Sequence, residues 1–323
     1  MARYLVTGAA GFIGARVSRM LLDSGHSVIG VDDMNTSYDV RMKEYRLKSL
    51  RDRKDFQFHQ IDIADRKIVE ALGQPGIDAV INLAARAGVR DSVLDPWVYV
   101  DANMTGTLNL LELCRQHKIS KFVFASTSSI YGNDAPLPTP ETADSSHPLQ
   151  PYAASKKGAE AMCYAYHFLH GLDVTVVRYF TVYGPAGLPN MSMFRFAQWI
   201  SEGKILRVNG DGEQKRGFTY IDDIARGTIL ALKPVDYEII NLGGHESISI
   251  NELIEMLEQS IGRKAIIEHH PFDKADMMAN LADVSKAGQL LGWEPQVGLK
   301  EGVAKMVAWY QAEHNWASQI ITD

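Results

Sequence analysis

Arg3-Tyr4-Leu5-Val6-Thr7-Gly8-Ala9-Ala10-Gly11-Phe12-Ile13-Gly14 is the stretch whose reading decides the fold. Its first five residues are apolar and β-branched enough to predict a strand. Gly8, Gly11 and Gly14 follow at once, and Ile13, Val17, Met20 and Leu21 then recur at helical spacing. A turn at Ser24-Gly25-His26 leads into a second strand from Ser27 to Val31, closed by the acid Asp32. Strand, glycine turn, helix, strand and acid, in that order, are what a dinucleotide site requires. The glycines let backbone N–H groups approach a pyrophosphate, and the helix N-terminus adds partial positive charge. An acid roughly twenty residues on accepts the ribose hydroxyls. The glycines alone mark only a turn; the complete order is the signal.

Outward from this unit the alternation continues. The pattern predicts a surface helix from Val40 to Leu50, a strand from Phe56 to Ile61, and a short helix from Lys67 to Leu72. A strand from Asp78 to Asn82 opens into the small-residue run Leu83 to Val89. One long helix is read from Pro96 to Cys114, with Val100, Met104, Leu108 and Leu111 on one face. A strand from Lys121 to Ala125, a helix from Tyr152 to Leu169 and a strand from Val174 to Tyr179 complete the series. Such alternation predicts an α/β protein with a doubly wound parallel sheet covered on both faces.

Beyond residue 180 the rhythm changes. A helix from Ser192 to Glu202, a hairpin-like stretch from Asn209 to Gly217 and a strand from Glu238 to Leu242 are read there. The division that follows is a dinucleotide-binding domain over 1–180, with a return segment near 218–245. Residues 181–217 and 246–323 form a smaller C-terminal α/β substrate lobe.

Composition narrows the function. The chain has 323 residues, of which 46% are hydrophobic and 22% charged, the proportions of an ordinary globular protein. Its formal charge of −6 carries no basic block, which disfavours a nucleic-acid partner. Cys114 and Cys163 fall in helical stretches, so neither a disulfide framework nor a cysteine metal site is expected. His59, His147, His269 and His270 lack metal-ligand spacing, and no metal is expected. No apolar run approaches a membrane span and no leader pattern is read, so a soluble cytoplasmic protein is expected.

Two polar sets follow predicted strands or open helices. Ser126-Thr127-Ser128-Ser129 clusters four hydroxyls, a set that also serves simply to cap a helix or solvate a turn. Tyr152 and Lys156 are four apart and share a helix face, where a cation favours the phenolate and lowers the phenol pKa. Either set alone is commonplace. Beside a dinucleotide site, they supply the base and relay hydroxyl that alcohol oxidation needs.

The glycine spacing together with Tyr152-x-x-x-Lys156 resembles the extended short-chain dehydrogenase/reductase family, and in particular its nucleotide-sugar epimerases and dehydratases. Phe124 to Gly132 is similar to that family's catalytic strand end, and Arg178 to Pro185 to its entry into the substrate lobe. Arg216 to Asp223 is similar to its nucleotide-binding stretch.

The resemblance implies a Rossmann-type fold with bound NAD. Gly8, Gly11, Phe12, Ile13 and Gly14 would hold the pyrophosphate, Asp32 the adenosine ribose, and Asp62 and Ile63 the adenine. Ala84, Ala85, Asn103 and Tyr179 would line the cofactor's nicotinamide half, and Thr127, Tyr152 and Lys156 would be catalytic. On the substrate side it implies Arg86, Arg90, Ser128, Ser129, Thr181 and Asn190, with Arg216 and Asp276 at the nucleotide end.

Dehydratases of the family resemble Thr-Asp-Glu where this chain has Thr127-Ser128-Ser129, which favours C4 epimerisation of a nucleotide sugar, through a 4-keto sugar, over dehydration. Ala87 to Arg90 and Phe180 to Pro185 look closest to UDP-glucuronate 4-epimerases. Those carry Arg-Pro-Asp-Met where this chain reads Leu188-Pro189-Asn190-Met191, which leaves a uronate and a neutral hexose both open, with Arg86 as a stand-in cation for the former. Another sugar dehydrogenase and a non-catalytic NAD-sensing protein are the rival readings. Retention of Thr127, Tyr152 and Lys156 disfavours the sensor. Family members often pair as homodimers through the two long helices.

Overall fold

Buried apolar strands set the architecture. The computed structural model describes residues 1–73, 76–244, 246–272 and 279–322. In chain order the strands are β1 Arg3–Thr7, β2 Ser27–Asp32, β3 Phe56–Gln60, β4 Ala79–Asn82, β5 Lys121–Thr127 and β6 Asp173–Tyr179. They continue as β7 Thr181–Tyr183, β8 Ile205–Asn209, β9 Lys215–Tyr220, β10 Tyr237–Leu242, β11 Ser247–Ser249, β12 Ile266–His270 and β13 Ala279–Asn280. Seven of them form one parallel sheet in the order β10-β6-β5-β4-β1-β2-β3.

Successive side chains of a strand face opposite sides, and here both sides are apolar. Val6, Val123 and Val177 enter the core on one face, whereas Leu5, Phe122, Phe124 and Val176 enter the core on the other. The chain order reverses at β1, which pairs with β2 on one side and β4 on the other. Ligands of open parallel sheets bind beyond the carboxyl ends at such a switch point. Thr7, Asp32, Asn82, Thr127 and Tyr179 all end their strands there.

The smaller lobe departs from the expected hairpin. β8 pairs in parallel with β12, while β9 pairs with β7 and β13 in parallel and with β11 antiparallel. The left-handed Gly210 and Gly212 between β8 and β9 carry the chain from one sheet to another rather than folding it back. The boundaries also differ in detail. Residues 218–220 lie in the lobe sheet, so the return to the main sheet begins with the helix Ile221–Leu230. That helix packs on Phe12–Asp23, where Arg16 grips Asp222 through two hydrogen bonds of 2.7 and 2.8 Å. From the C-terminal block, Ala287, Leu291 and Trp293 join the main core, with the Trp293 indole donating to the Asp223 carbonyl at 2.8 Å.

Two helices differ from their sequence reading. The expected continuous helix from Pro96 to Cys114 is broken into Trp97–Tyr99, a π-helical Val100–Thr105 and Gly106–His117. A π segment widens the turn and redirects a side chain. Here it contains Asn103, which is fully buried. The helix Val40–Arg51 is more deeply seated than its surface reading suggests: Glu44, Lys48, Ser49 and Arg51 are exposed, but Met42, Lys43, Arg46, Leu47 and Leu50 are buried. Among the described residues no helix is long and apolar enough to cross a membrane.

Candidate active site

A cavity of about 1480 Å3 opens over the carboxyl edge of the main sheet and runs into the small lobe. A pocket for one small ligand usually encloses roughly 300–1000 Å3, so this volume suits two ligands side by side. At one end lies the glycine turn. Gly8 has φ +67°, and a Cβ there would stand 2.9 Å from the Ala84 nitrogen; one on Gly14 would meet the Gly8 carbonyl at 2.0 Å. Only glycine fits either place. Among the described residues no side chain caps the helix Phe12–Asp23, so its first N–H groups remain available to an anion beside the turn. This cradle fits a cofactor pyrophosphate.

Asp32 is buried beyond the turn and accepts from the Ala10 and Met34 amides at 3.2 and 2.9 Å. Lys43, itself buried, pairs with it at 3.1 Å and reaches Asp33 at 3.5 Å. Burial works to raise the Asp33 pKa, but hydrogen bonds from Asn35 and the charges of Lys43 and Arg86 prevail, holding it below the ordinary value. Sequence reasoning missed Lys43 because it sits in a helix read as superficial. Asp62, Ile63, Ala84 and Ala85 line the same wall. Asn103 does not. Its side chain accepts from the Arg86 amide at 2.9 Å and donates to the Arg86 carbonyl and to Ser155 Oγ, bracing the wall from behind. Tyr179 lines the cavity with its hydroxyl already committed to Thr228 at 2.7 Å.

At the centre, Thr127, Tyr152 and Lys156 share the wall. Thr127 ends β5 and donates to Ser129 Oγ at 3.2 Å, with the Tyr152 phenol beside it. The helix Pro151–His170 brings Tyr152 and Lys156 to one side, one turn apart. In this arrangement Lys156 is not among the groups that shift the phenol pKa. Burial raises it, and only the Thr127 hydroxyl opposes that. The Lys156 ammonium lies instead over the Phe124 ring, 4.4 Å from its centroid, and makes no hydrogen bond among the described residues. Burial pushes the Lys156 pKa down to about 8. A buried cation unspent on protein is what ribose hydroxyls of a bound dinucleotide would engage. Tyr99 sets its ring edge-on to Tyr152, with centroids 6.1 Å apart, and its own pKa is pushed up to about 12 by burial and the nearby Asp91.

Beneath this surface lies a network that sequence reasoning missed. Arg178 and Glu160, 1% and 2% exposed, form a forked ion pair at 2.9 and 2.8 Å. Ser126 donates to Glu160 at 2.6 Å, and Arg178 donates to the Tyr131 hydroxyl at 2.8 Å. Glu160 stands one turn beyond Lys156, a spacing that carries the only available sequence signal.

Toward the lobe, Ser128, Ser129, Thr181, Asn190 and Arg216 line the cavity, together with Leu188 and Arg90. Arg86 also lines it, but its guanidinium donates to Asn35 at 2.9 Å, drawing it toward the loop after β2. Arg195, unremarked in the sequence, faces the cavity from the helix Ser192–Glu202 and stacks over Trp199 at 4.6 Å. Asp276 lies outside the described residues.

Known proteins share this fold. Residues 5–306 match the family model described as GDP-mannose 4,6 dehydratase. A UDP-glucuronate 4-epimerase of Thermodesulfobacterium geofontis is 56% identical over 311 residues, 96% of each chain. A UDP-glucuronic acid 4-epimerase from Bacillus cereus, solved with UDP-glucuronic acid and NAD, has a TM-score of 0.91 at 37% identity, covering 96% of this chain and 99% of that one. A dTDP-glucose 4,6-dehydratase from Streptomyces venezuelae, solved with NAD, reaches 0.90 at 30% identity, covering 97% of this chain and 98% of its own.

Proposed function

The chain belongs to the GDP-mannose 4,6 dehydratase family of extended short-chain dehydrogenases, and we propose that it is an NAD-dependent 4-epimerase of UDP-glucuronate. The observation that carries the reading is a phenol beside Thr127, one helical turn from a buried ammonium, in a cavity continuous with the glycine turn. The similarity to a UDP-glucuronate 4-epimerase over 96% of the chain supports the same substrate.

The glycine turn, Asp32 and Lys156 would hold NAD, and bound NAD supplies reversible oxidation at the sugar carbon. Tyr152 takes the C4 hydroxyl proton, with Thr127 positioning that hydroxyl and sharing the hydrogen bond. Lys156 holds positive charge beside the phenol and so favours its ionised form when the site is filled. The resulting 4-keto sugar turns within the cavity and presents its other face, after which Tyr152 returns the proton. Positioning supplies most of the rate. Ser128 and Ser129 follow Thr127, and their hydroxyls offer neither the acid nor the base that eliminating water across two carbons needs, so epimerisation is preferred to dehydration.

Arg216 is proposed to meet the nucleotide diphosphate, with Asp276 beside it at the nucleotide end. The uronate carboxylate is proposed to be met by Arg90 and Arg195, with Arg86 shared between it and Asn35. Leu188 favours the second reading, a neutral hexose, because an unpaired buried carboxylate is expensive.

The exposed apolar side chains Leu94 and Trp97, near the start of the helix Pro151–His170, and Phe168 and Leu169, near its end, are proposed to be covered by a second copy in a homodimer. A cytoplasmic setting, where the two free thiols Cys114 and Cys163 remain reduced, is proposed with it. The test is a proton NMR time course with UDP-glucuronate and UDP-glucose in separate tubes. Conversion of the uronate to its C4 epimer supports the reading; conversion of the neutral sugar alone overturns it in favour of the hexose.

A further inference from the structure

Arg46 lies in the helix Val40–Arg51 and is 6% exposed, yet no carboxylate is among its hydrogen-bond partners in the described residues. Three separate segments hold it instead. Its Nε and Nη2 donate to the Ala186 carbonyl at 2.9 and 2.8 Å, and Nη2 also donates to the Gly187 carbonyl at 3.0 Å. Its Nη1 donates to the Tyr38 hydroxyl at 2.8 Å and, more weakly, to the Ala10 carbonyl at 3.4 Å. The guanidinium carbon lies 5.8 Å from the Phe12 ring centroid and 5.5 Å from that of Tyr38.

Ala10 and Phe12 belong to the glycine turn, and Tyr38 to the loop after β2. Ala186 and Gly187 lead into Leu188 and Asn190 on the sugar-side wall. Ala186 has φ +54°, a backbone conformation that a residue with a Cβ rarely adopts. Two N–H donors on its carbonyl hold it there. A lysine in this place would keep the charge but lack the planar fork that spans the carbonyls and the phenol together.

We infer that Arg46 is a positioning residue that couples the glycine turn to the sugar-side wall, so that cofactor and nucleotide sugar each strengthen the other's hold. A ligand that immobilises the turn immobilises the segment behind Leu188 through one rigid group, and the second ligand then meets a wall already ordered. Such coupling is reciprocal. The proposed function names the two ligands; the coupling itself stands on the geometry.

The experiment measures NAD release from the purified holoprotein with and without saturating UDP. In the wild type, UDP should slow release by about tenfold, within the usual range of coupling between sites. In Arg46→Met, with an unchanged circular dichroism spectrum, the ratio should fall close to one. If that variant does not fold, Arg46→Lys carries the test, and its ratio should also fall. An unchanged ratio in the folded variant, or no effect of UDP on the wild type, overturns the inference. Wild-type turnover of UDP-glucuronate is scored separately. A persistent NAD–UDP ratio without turnover contradicts the proposed function and supports the coupling.

Discussion

Tyr152, the proposed base, has surroundings that, taken alone, oppose its ionisation. Burial raises its pKa, and Thr127 relieves that only in part. The opposing positive charge, Lys156, rests on the Phe124 ring, where it is ready to meet ribose hydroxyls. Tyr152→Phe should therefore lower turnover by about a thousandfold, the scale of a lost general base, while purified protein keeps its NAD. Turnover within tenfold of wild type would remove Tyr152 as the base. The glycines, Asp32, Thr127, Tyr152 and Lys156 are legible in the sequence because each sits at a fixed offset from a strand end or shares a helix face. Lys43, Arg46 and Arg195 are not, because their importance arises from burial and from partners far along the chain, such as Ala186 for Arg46. The left-handed Ala186 has no sequence signature either.

At the scale of elements, the strand β5 and the helix Pro151–His170 are locked together by the Glu160–Arg178 pair and Ser126. Burial works to raise the Glu160 pKa, but the Arg178 and Ser126 contacts overcome it and hold the carboxyl below its ordinary value. A carboxylate depressed in the fold contributes stability that is present above its unfolded value, about 4.3. That stability is lost as pH falls through the depressed value. Glu160→Gln leaves Arg178 buried without its counter-charge, a change that costs about 3 kcal/mol or more. Denaturant unfolding at neutral pH should show that loss, and the variant's stability should depend less on pH in the acid range. A loss under about 1 kcal/mol would mean the pair is dispensable. Element types were readable from periodicity, whereas the π-helical break at Val100–Thr105 was not, since apolar spacing continues smoothly across it.

For the whole molecule, regular alternation of strand and helix makes the parallel sheet legible in the sequence alone. The lobe was harder. Its strands are short and pair over long separations, β7 with β9 and β8 with β12, so no local pattern announces them. The outer surface carries its own prediction. Phe168 is 75% exposed and Trp97 76% exposed, on helices that pack against each other. If the proposed homodimer forms through these side chains, Phe168→Asp should shift the sedimentation of the protein from dimer to monomer, and an unchanged dimer would place the seam elsewhere.

In the proposed reaction the C4 hydrogen leaves the sugar and returns to the same carbon without exchanging with water. The direct test supplies UDP-glucuronate deuterated at C4 in ordinary water and follows the label by NMR. The account predicts that the C4 epimer forms with deuterium still at C4. Product carrying protium at that carbon, taken from solvent, would contradict oxidation and return in a closed site.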